Sequence, residues 1–443
     1  MTNKNASVTE AETPRGTTHV AVLGTGSIGS RHLEVLNEAA GFSTIAVPLR
    51  PTRAKELASQ GQKTASGLAE AAIQGATVCI IATETGRHLE DGKIALDCGL
   101  DLLVEKPLAL TAVQSAKLIE HAEKSGRSLY VGCVMRFSES LGTFREYLPQ
   151  VGELHSVRIE CQSYLPDWRP QRSYLESYAA RTHGGGVLLD LIHEVDYAGW
   201  IYGWPDTVQG RIRNLGRLGI KADEAVDLSW ETPAGCLISI NLDYLSRQPR
   251  RIMRAYGALG TLEWDGFGGT VTLLVEGADP IVKTSHQSRN DTFLAQAQAF
   301  IKVSNGGHDI RLATAEEGAE LRNSIGPNAI IMALNGALGG LVSITAEPLA
   351  PTFLWAVFIG GIGGALVVLT VPILDKLKID DVVGAIPAHL VAGVWGTLAV
   401  PFTNSDVSFG SQLLGTISVV IFVFVVSYIV WSIMKATIGI RIS

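Results

Sequence analysis

From residue 17 onward, short β-branched apolar runs alternate with stretches whose apolar residues recur at helical spacing. HVAVLGTGSIG is a strand that ends in glycines, and RHLEVLNEAA continues it as an amphipathic helix, half of a βαβ unit. STIAV, RAKELASQ, ATVCIIAT, HLEDGKIALDCG, DLLVEKP, SAKLIEHAEKSG and SLYVGC keep up the alternation, which predicts an α/β Rossmann domain with a doubly wound parallel sheet over residues 17–135. From about Glu153 the apolar period shortens to two, in HSVRIECQSYL, AVDLSWET, CLISINLDYL and GTLEWDG. That pattern predicts an α+β domain with a largely antiparallel open sheet over residues 136–322. Within it GGGVLLDLIHEVDYAGWIYG reads as a single helix carrying polar residues on an otherwise apolar rod. The first sixteen residues are polar, lack the apolar stretch of a signal peptide, and read as a flexible tail made in the cytosol.

The last quarter follows a different rule. Asn323–Ala346, Pro348–Leu374, Val382–Ser405 and Val407–Met434 contain no formal charge and are each 24 to 28 residues long, enough to span a bilayer. They predict an all-α transmembrane segment of about four helices over residues 323–443, with membrane lipid as its partner. The flanking basic residues Arg322, Lys376, Lys378, Lys435 and Arg441 then all fall on one side, so the positive-inside rule puts the N-terminal region and the C-terminus in the cytoplasm. Mean hydropathy is +0.23 and charged residues make up 18%, against about 25% in ordinary globular proteins; only nine charged residues lie from Ser324 onward. A length of 443 residues allows two or three domains. A net charge of -7 without a long basic run argues against nucleic acid as a partner. Cys79, Cys98, Cys133, Cys161 and Cys236 form no CxxC pair and no ligand cluster, so reduced core thiols and no metal are expected.

The candidate chemistry lies in the first two domains. Gly24, Gly26 and Gly29 form GxGxxG between a strand and a helix, where missing side chains let the backbone of Gly24, Gly26, Ser27, Ile28 and Gly29 approach a pyrophosphate. The second strand, STIAVPLRPTR, ends without the acid that would hold a ribose hydroxyl and offers Arg50 and Arg53 instead, which favours NADP over NAD. Glu105, Lys106 and Pro107 follow the strand DLLV at the carboxyl edge of the sheet, where Glu105 and Lys106 can meet a cofactor and Lys106 also a substrate; a surface ion pair is the alternative. Asp190, His193 and Asp196 recur every third residue, an acid/base cluster on one helix face or a satisfied core histidine.

GTGSIGSRH, VEKPL and GGGVLLDLIHEVD together resemble the Gfo/Idh/MocA oxidoreductase family over residues of about 17–322. The resemblance implies hydride transfer between NAD(P) and a carbon of a sugar or cyclitol, a possible homo-oligomer, and Lys106 and His193 as the working pair. Asp190 precedes His193 by three positions where many members have an acid four positions before. YLPDWRPQRSYLESY and LDYLSRQPRR are similar to a branch associated with acidic and acylated surface sugars, which would make Arg136, Trp168 and Arg169 substrate contacts; ordinary packing and surface charge are the alternative for these three.

The apolar segment has a resemblance of its own. NGALGGLVSITAEP, VPILDKLKIDDVVGAIPAHLVAGVWGTLAV and KATIGIRIS are similar to the ammonium transporter family, over only the last four of its eleven helices. His389 matches one of that family's paired pore histidines, and the implied partner imidazole belongs to the half not matched, so transport by this chain alone is not expected. Glycines such as Gly336, Gly340, Gly360, Gly361, Gly363 and Gly364 would allow close helix contacts. TAEEGAELRNS runs into SIGPNAIIMALNG without a polar spacer, so three readings stay open: an oxidoreductase fused to a membrane segment, an ammonium transport protein with a nucleotide-binding domain, or a reading frame joining two unrelated proteins. An antibody against the N-terminal domain, applied to fractionated source cells, separates the last reading from the others. A membrane-bound species near 47.2 kDa is expected for a physiological fusion, and a smaller soluble one for two separate proteins.

Overall fold

The computed structural model describes residues 17–181, 184–205, 207–325, 337–347, 352–376 and 385–437; the polar tail and residues 326–336 of the first uncharged stretch lie outside these residues. The chain separates into two compact units, Met1–Gly326 and Pro327–Ser443.

The first unit opens with β1 (Thr18–Leu23), α1 (Ser27–Glu38), β2 (Phe42–Val47), α2 (Pro51–Ser59), α3 (Leu68–Ile73), β3 (Val78–Ile81), α4 (His88–Asp97), β4 (Asp101–Glu105), α5 (Ala112–Ser125) and β5 (Leu129–Gly132). These five strands are parallel. All four residues of β3 and the last four of β1 are buried, as expected of strands covered by helices on both faces. Helix ends follow local chemistry: the Thr111 hydroxyl caps α5 by accepting the Gln114 N–H at 3.2 Å, and Gly126 ends it with φ 63°, a conformation that costs glycine little.

The second domain contains α6 (Glu139–Tyr147), β6 (Leu154–Tyr164), α7 (Val187–Asp190), α8 (His193–Tyr202), β7 (Gln209–Arg213), β8 (Ala225–Glu231), β9 (Leu237–Asp243), β10 (Leu245–Gly257), β11 (Gly260–Asp265), β12 (Thr270–Val275) and β13 (Ile281–Thr284). Its eight strands run in the order β13-β12-β11-β10-β6-β9-β8-β7, antiparallel except for the parallel pair β6 and β9. Alternation along β8 and β9 turns Val226, Leu228, Ile238, Ile240 and Leu242 inward, into one core with Val187 of α7 and Val195 and Ala198 of α8. GGGVLLDLIHEVDYAGWIYG is therefore two helices rather than one, broken at Leu191–Ile192, so Asp190 does not share a helix face with His193 and Asp196.

The chain then returns to the first sheet, across the boundary at 135/136 drawn from its pattern. β14 (Ala313–Thr314) pairs antiparallel with β5, giving the order β14-β5-β4-β3-β1-β2. α9 (Arg289–Ser304) lays Ala297, Phe300 and Ile301 against Val20, Val22, Ile80 and Leu103, a face of the parallel sheet it shares with Leu33 and Leu36 of α1. α10 (Ala315–Ile325) packs on α5. Helical periodicity identifies an apolar face but not the sheet that covers it, so the amphipathic pattern alone does not assign α9 to its domain.

Arg136, in the turn after β5, lies deep in this unit. Its guanidinium reaches Asp196 of α8 at 2.7 Å and Glu317 of α10 at 2.9 Å, with the Arg136 side chain fully buried. The substrate contact expected of Arg136 is thus replaced by an internal ion pair, in which the guanidinium donates to both carboxylate oxygens of Asp196. Of the cysteines, Cys79, Cys133, Cys161 and Cys236 are buried, Cys98 is half-buried, and all five are free thiols.

In the second unit a helical stretch over 337–344 meets Phe353–Lys376, and the π-helical Ile386–Val391 runs into Ala392–Ala399. A Cβ on Gly396 would stand 2.4 Å from the Ser343 carbonyl oxygen, and one on Gly340 would stand 3.0 Å from that of Gly360. Such close backbone approach is what small residues permit between apolar helices. Trp395 Nε1 donates to the Ile359 carbonyl at 2.9 Å. Phe353–Val371 and Phe409–Met434 are long and apolar enough to cross a membrane, and Ile386–Phe402 is a shorter apolar helix. The expectation of about four spans is thus met at two of them among the described residues.

Removing one partner of a buried ion pair leaves an uncompensated charge, at a cost of roughly 3–5 kcal/mol. Arg136→Met is expected to lower unfolding stability by about that amount in urea titration. Combining it with Asp196→Leu should recover much of the loss.

Candidate functional site

The turn after β1 shows a division of labour among its glycines. Gly24 has φ +86°, and a Cβ there would meet the Ala82 carbonyl oxygen at 2.8 Å. A Cβ on Gly29 would stand 1.8 Å from the Gly24 carbonyl oxygen, so the first turn of α1 presses directly on the loop. Gly26 faces open space, with nothing within 4 Å of its Cβ position. Two glycines are therefore required by the protein, while the third leaves the backbone at the start of α1 uncovered beside Ser27 and Ile28. This is a cradle that fits a dinucleotide pyrophosphate. Beyond β2, Arg53 in the first turn of α2 donates to Ser30 Oγ at 3.1 Å and pairs with Glu56 at 2.6 Å, which holds it near α1; Arg50 is exposed at the N-cap of α2.

At the end of β4, Glu105 bonds to the buried His32 of α1 at 2.8 Å, and the Lys106–Pro107 peptide is cis. Lys106 Nζ donates to the Asp190 carbonyl oxygen at 2.8 Å, across from the parallel sheet to the end of α7. The Asp190 carboxylate accepts from the Tyr244 hydroxyl at 2.8 Å and from that of Tyr178. Burial first, then the Asp190 charge, hold the Tyr178 hydroxyl far above its usual titration range, so it remains a donor. With both carboxylate oxygens engaged and its carbonyl on Lys106, Asp190 orients its neighbours.

His193 begins α8, just beyond the helix break. Its Nδ1 is buried and without a hydrogen-bond partner among the described residues. Burial, reinforced by the Lys106, Arg251 and Arg289 cations, pushes its pKa well below the ordinary 6.5, so the imidazole is neutral at neutral pH. Trp168 and Arg169 line one cavity with Tyr178 and Asp190. Trp168 Nε1 donates to Ser163 Oγ at 2.9 Å and its ring meets Tyr244 edge-on at 5.4 Å. The structure thus brings together Lys106, Asp190, Trp168 and Arg169, with His193 close enough to Lys106 to feel its charge, and sends Arg136 elsewhere. Tyr178, Tyr244, Arg251 and Arg289 also converge here. No short-range pattern marks them, because they come from four separate segments. In the second unit His389 is exposed on the π-helical stretch. Among the described residues no cluster of three or more metal-ligating side chains occurs.

This geometry agrees with the family comparisons. Residues 18–133 match the oxidoreductase family with an NAD-binding Rossmann fold, residues 149–263 match the GFO/IDH/MocA C-terminal domain, and residues 322–443 match the Ammonium Transporter Family. The chain thus joins a region that matches the Gfo/Idh/MocA oxidoreductase models to one that matches the ammonium transporter model. It is 26% identical to inositol 2-dehydrogenase 2 of Saccharopolyspora erythraea over 318 residues, covering 68% of this chain and 89% of that one. It is 32% identical to a Synechocystis protein named for ammonium transport over 173 residues, covering 39% of this chain and 36% of that protein's length. Levoglucosan dehydrogenase in complex with NADH and levoglucosan shares the fold at a TM-score of 0.61 and 16% identity, covering 69% of this chain and 94% of that one. UDP-N-acetylglucosamine 3-dehydrogenase from Acidithiobacillus ferrooxidans does so at 0.58 and 16%, covering 69% and 95%.

The glycine geometry separates packing from ligand approach. Gly29→Ala is expected to lower the melting temperature as well as dinucleotide affinity. Gly26→Ala should leave the melting temperature unchanged and still weaken NADH binding about tenfold or more in a fluorescence titration, an effect of about 1.4 kcal/mol.

Proposed function

We propose that the N-terminal unit is an NAD(P)-dependent oxidoreductase acting on a hydroxyl or carbonyl of a sugar or sugar derivative. The observation that carries this reading is the bond from Lys106 to the last residue of α7 at the carboxyl edge of the parallel sheet, beside a glycine turn with one uncovered backbone position. The residues that would hold the cofactor are Gly24, Gly26, Ser27, Ile28, Gly29, Glu105 and Lys106, with Arg50 and Arg53 at the start of α2, where they would receive an adenosine 2'-phosphate and so favour NADP. When bound, the nicotinamide supplies the hydride acceptor or donor. The sugar class follows from relatives named for inositol and levoglucosan, and from the cavity of Trp168, Arg169 and Tyr178.

The protein's own part is proton transfer and alignment. The neutral His193 has an unoccupied buried nitrogen and can take the proton of a substrate hydroxyl as the carbonyl forms. The Lys106 ammonium, steered by the Asp190 carbonyl, stabilises the oxygen as its charge develops. Asp190, pinned by Tyr178 and Tyr244, fixes that lysine and acts as a positioning residue. In the reductive direction His193 returns the proton.

The C-terminal unit attaches this chemistry to a membrane. Four spans, with the oxidoreductase unit and C-terminus cytoplasmic, follow from the one-sided Lys and Arg residues. The exposed His389 belongs to a segment that matches only part of the transporter relative, which favours tethering over conduction.

Lys106→Met is expected to lower kcat about 10²–10⁴-fold while NADH binding persists in the same preparation; an unchanged rate would remove Lys106 from the reaction. Because the His193 pKa is depressed, neutral base is present above it and lost only as pH falls through it. The rising limb of kcat/KM for oxidation is therefore expected below pH 6.5, and a limb at or above that value would exclude His193 as the base.

A further inference from the structure

A third imidazole, buried between the glycine turn and the working lysine, links the two. His88, the first residue of α4, is 1% exposed. Its Nδ1 lies 3.0 Å from the carbonyl oxygen of Pro107, the residue after Lys106, and its Nε2 lies 3.1 Å from the carbonyl oxygen of Thr83, two residues beyond β3. Thr83 also supports the glycine turn, since its Cγ2 would stand 2.9 Å from a Cβ on Gly24, next to the Ala82 carbonyl. Contacts therefore run from Gly24 through Thr83, His88 and Pro107 to Lys106, whose ammonium ends on the Asp190 carbonyl.

The two ends of this link are not held alike. Thr83 has an anchor of its own: its hydroxyl donates to Oδ2 of the buried Asp91 at 2.8 Å, and the Arg87 guanidinium fixes that carboxylate at 3.1 and 2.8 Å. Pro107 carries no N–H, so its carbonyl is the one backbone group by which a hydrogen bond can fix the residue after Lys106. Both atoms facing the ring are acceptors, so a neutral ring donates to one of them and only a protonated ring to both. Burial lowers the His88 pKa from its ordinary 6.5, against the pull of the Thr83, Pro107 and Leu108 backbone and of Glu105, which leaves one ring proton at neutral pH. Placed on Nδ1, that proton secures the end that lacks another anchor. We infer that His88 is a positioning residue, whose Nδ1–H holds the Pro107 carbonyl and so keeps Lys106 aligned with the support of the dinucleotide cradle. This deepens the oxidoreductase reading and rests on it for the role of Lys106.

Solid-state NMR of the full-length chain in lipid vesicles tests this without a substrate. In wild-type protein labelled with ¹⁵N-histidine and carbonyl-¹³C-proline, one ring nitrogen is expected to couple to a proline carbonyl and to carry a proton. A bare nitrogen at that carbonyl, or no such coupling, would overturn the inference, and this arm decides alone if the variants fail to fold. A second labelling, ¹⁵N-lysine with carbonyl-¹³C-aspartate, reads the contact of Lys106 with the Asp190 carbonyl. His88→Leu removes both ring contacts and is expected to abolish that signal while NADH affinity, by fluorescence titration, changes less than threefold. His88→Asn, whose amide N–H stands in for Nδ1–H, should restore the signal, and His88→Gln, whose amide stands in for Nε2, should not. Equal behaviour of the Asn and Gln variants, or a Lys106 signal that survives His88→Leu, would reduce the ring to packing. A tenfold loss of NADH affinity in His88→Leu with the Lys106 signal intact would assign the ring to the cofactor instead. Failure of the wild-type chain to bind NADH, with the histidine–proline coupling present, would sink the oxidoreductase reading and leave the His88 bond standing.

Discussion

The arrangement of the first unit depends on one buried guanidinium. Arg136 sits in the turn after β5 and is clamped by Asp196 of α8 and Glu317 of α10. A charge taken out of water is tolerated only with its bonds satisfied, so these three elements keep a common geometry or the charge is stranded. α8 begins with His193, and α7 just before it ends with the carbonyl that holds Lys106. The ion pair therefore fixes, from behind, the segment whose front presents the imidazole. The Trp200 ring extends the clamp, lying 5.5 Å from the Arg136 guanidinium carbon and 4.2 Å from that of Arg145.

Much of this architecture is legible in the chain because local rules govern it. Strand, glycine turn and helix at HVAVLGTGSIG follow from period and from the absence of Cβ atoms, and the spacing from Gly24 to Gly29 carries its own steric logic. The antiparallel second sheet is equally visible, since alternation survives in β6, β8 and β9. Illegible features are those decided at a distance. Arg136 and Glu317 are 181 residues apart, and nothing near either announces the other. The break at Leu191–Ile192 is hidden because apolar residues continue through it, and tertiary packing overrides the helical pattern there. Tyr178 and Tyr244 become site residues only when the turn before β10 and the segment before α7 close around Asp190.

The second unit obeys a solvent different from water. Ser343 Oγ lies 2.8 Å from the Gly339 carbonyl and 3.0 Å from that of Ala392, so its hydroxyl is satisfied between two helices. Backbone contact at Gly396 and Gly340 substitutes for the side-chain burial that organises the first unit. No residue of Phe409–Met434 is buried, as suits a helix whose environment is hydrocarbon.

The return of α9 to the first sheet has a consequence for the order in which the chain becomes a protein. β1 is made long before Phe300 and Ile301, which join α1 in covering one face of its sheet and follow only near the end of the first unit. At roughly 5–20 residues per second the sheet, once β5 is made, waits between about ten seconds and half a minute with part of that face uncovered. Such pairing of distant segments slows folding, because loop closure precedes the gain from contact. The apolar helices are made immediately afterwards, so completion of the first unit and the covering of these helices fall within the same brief interval of synthesis.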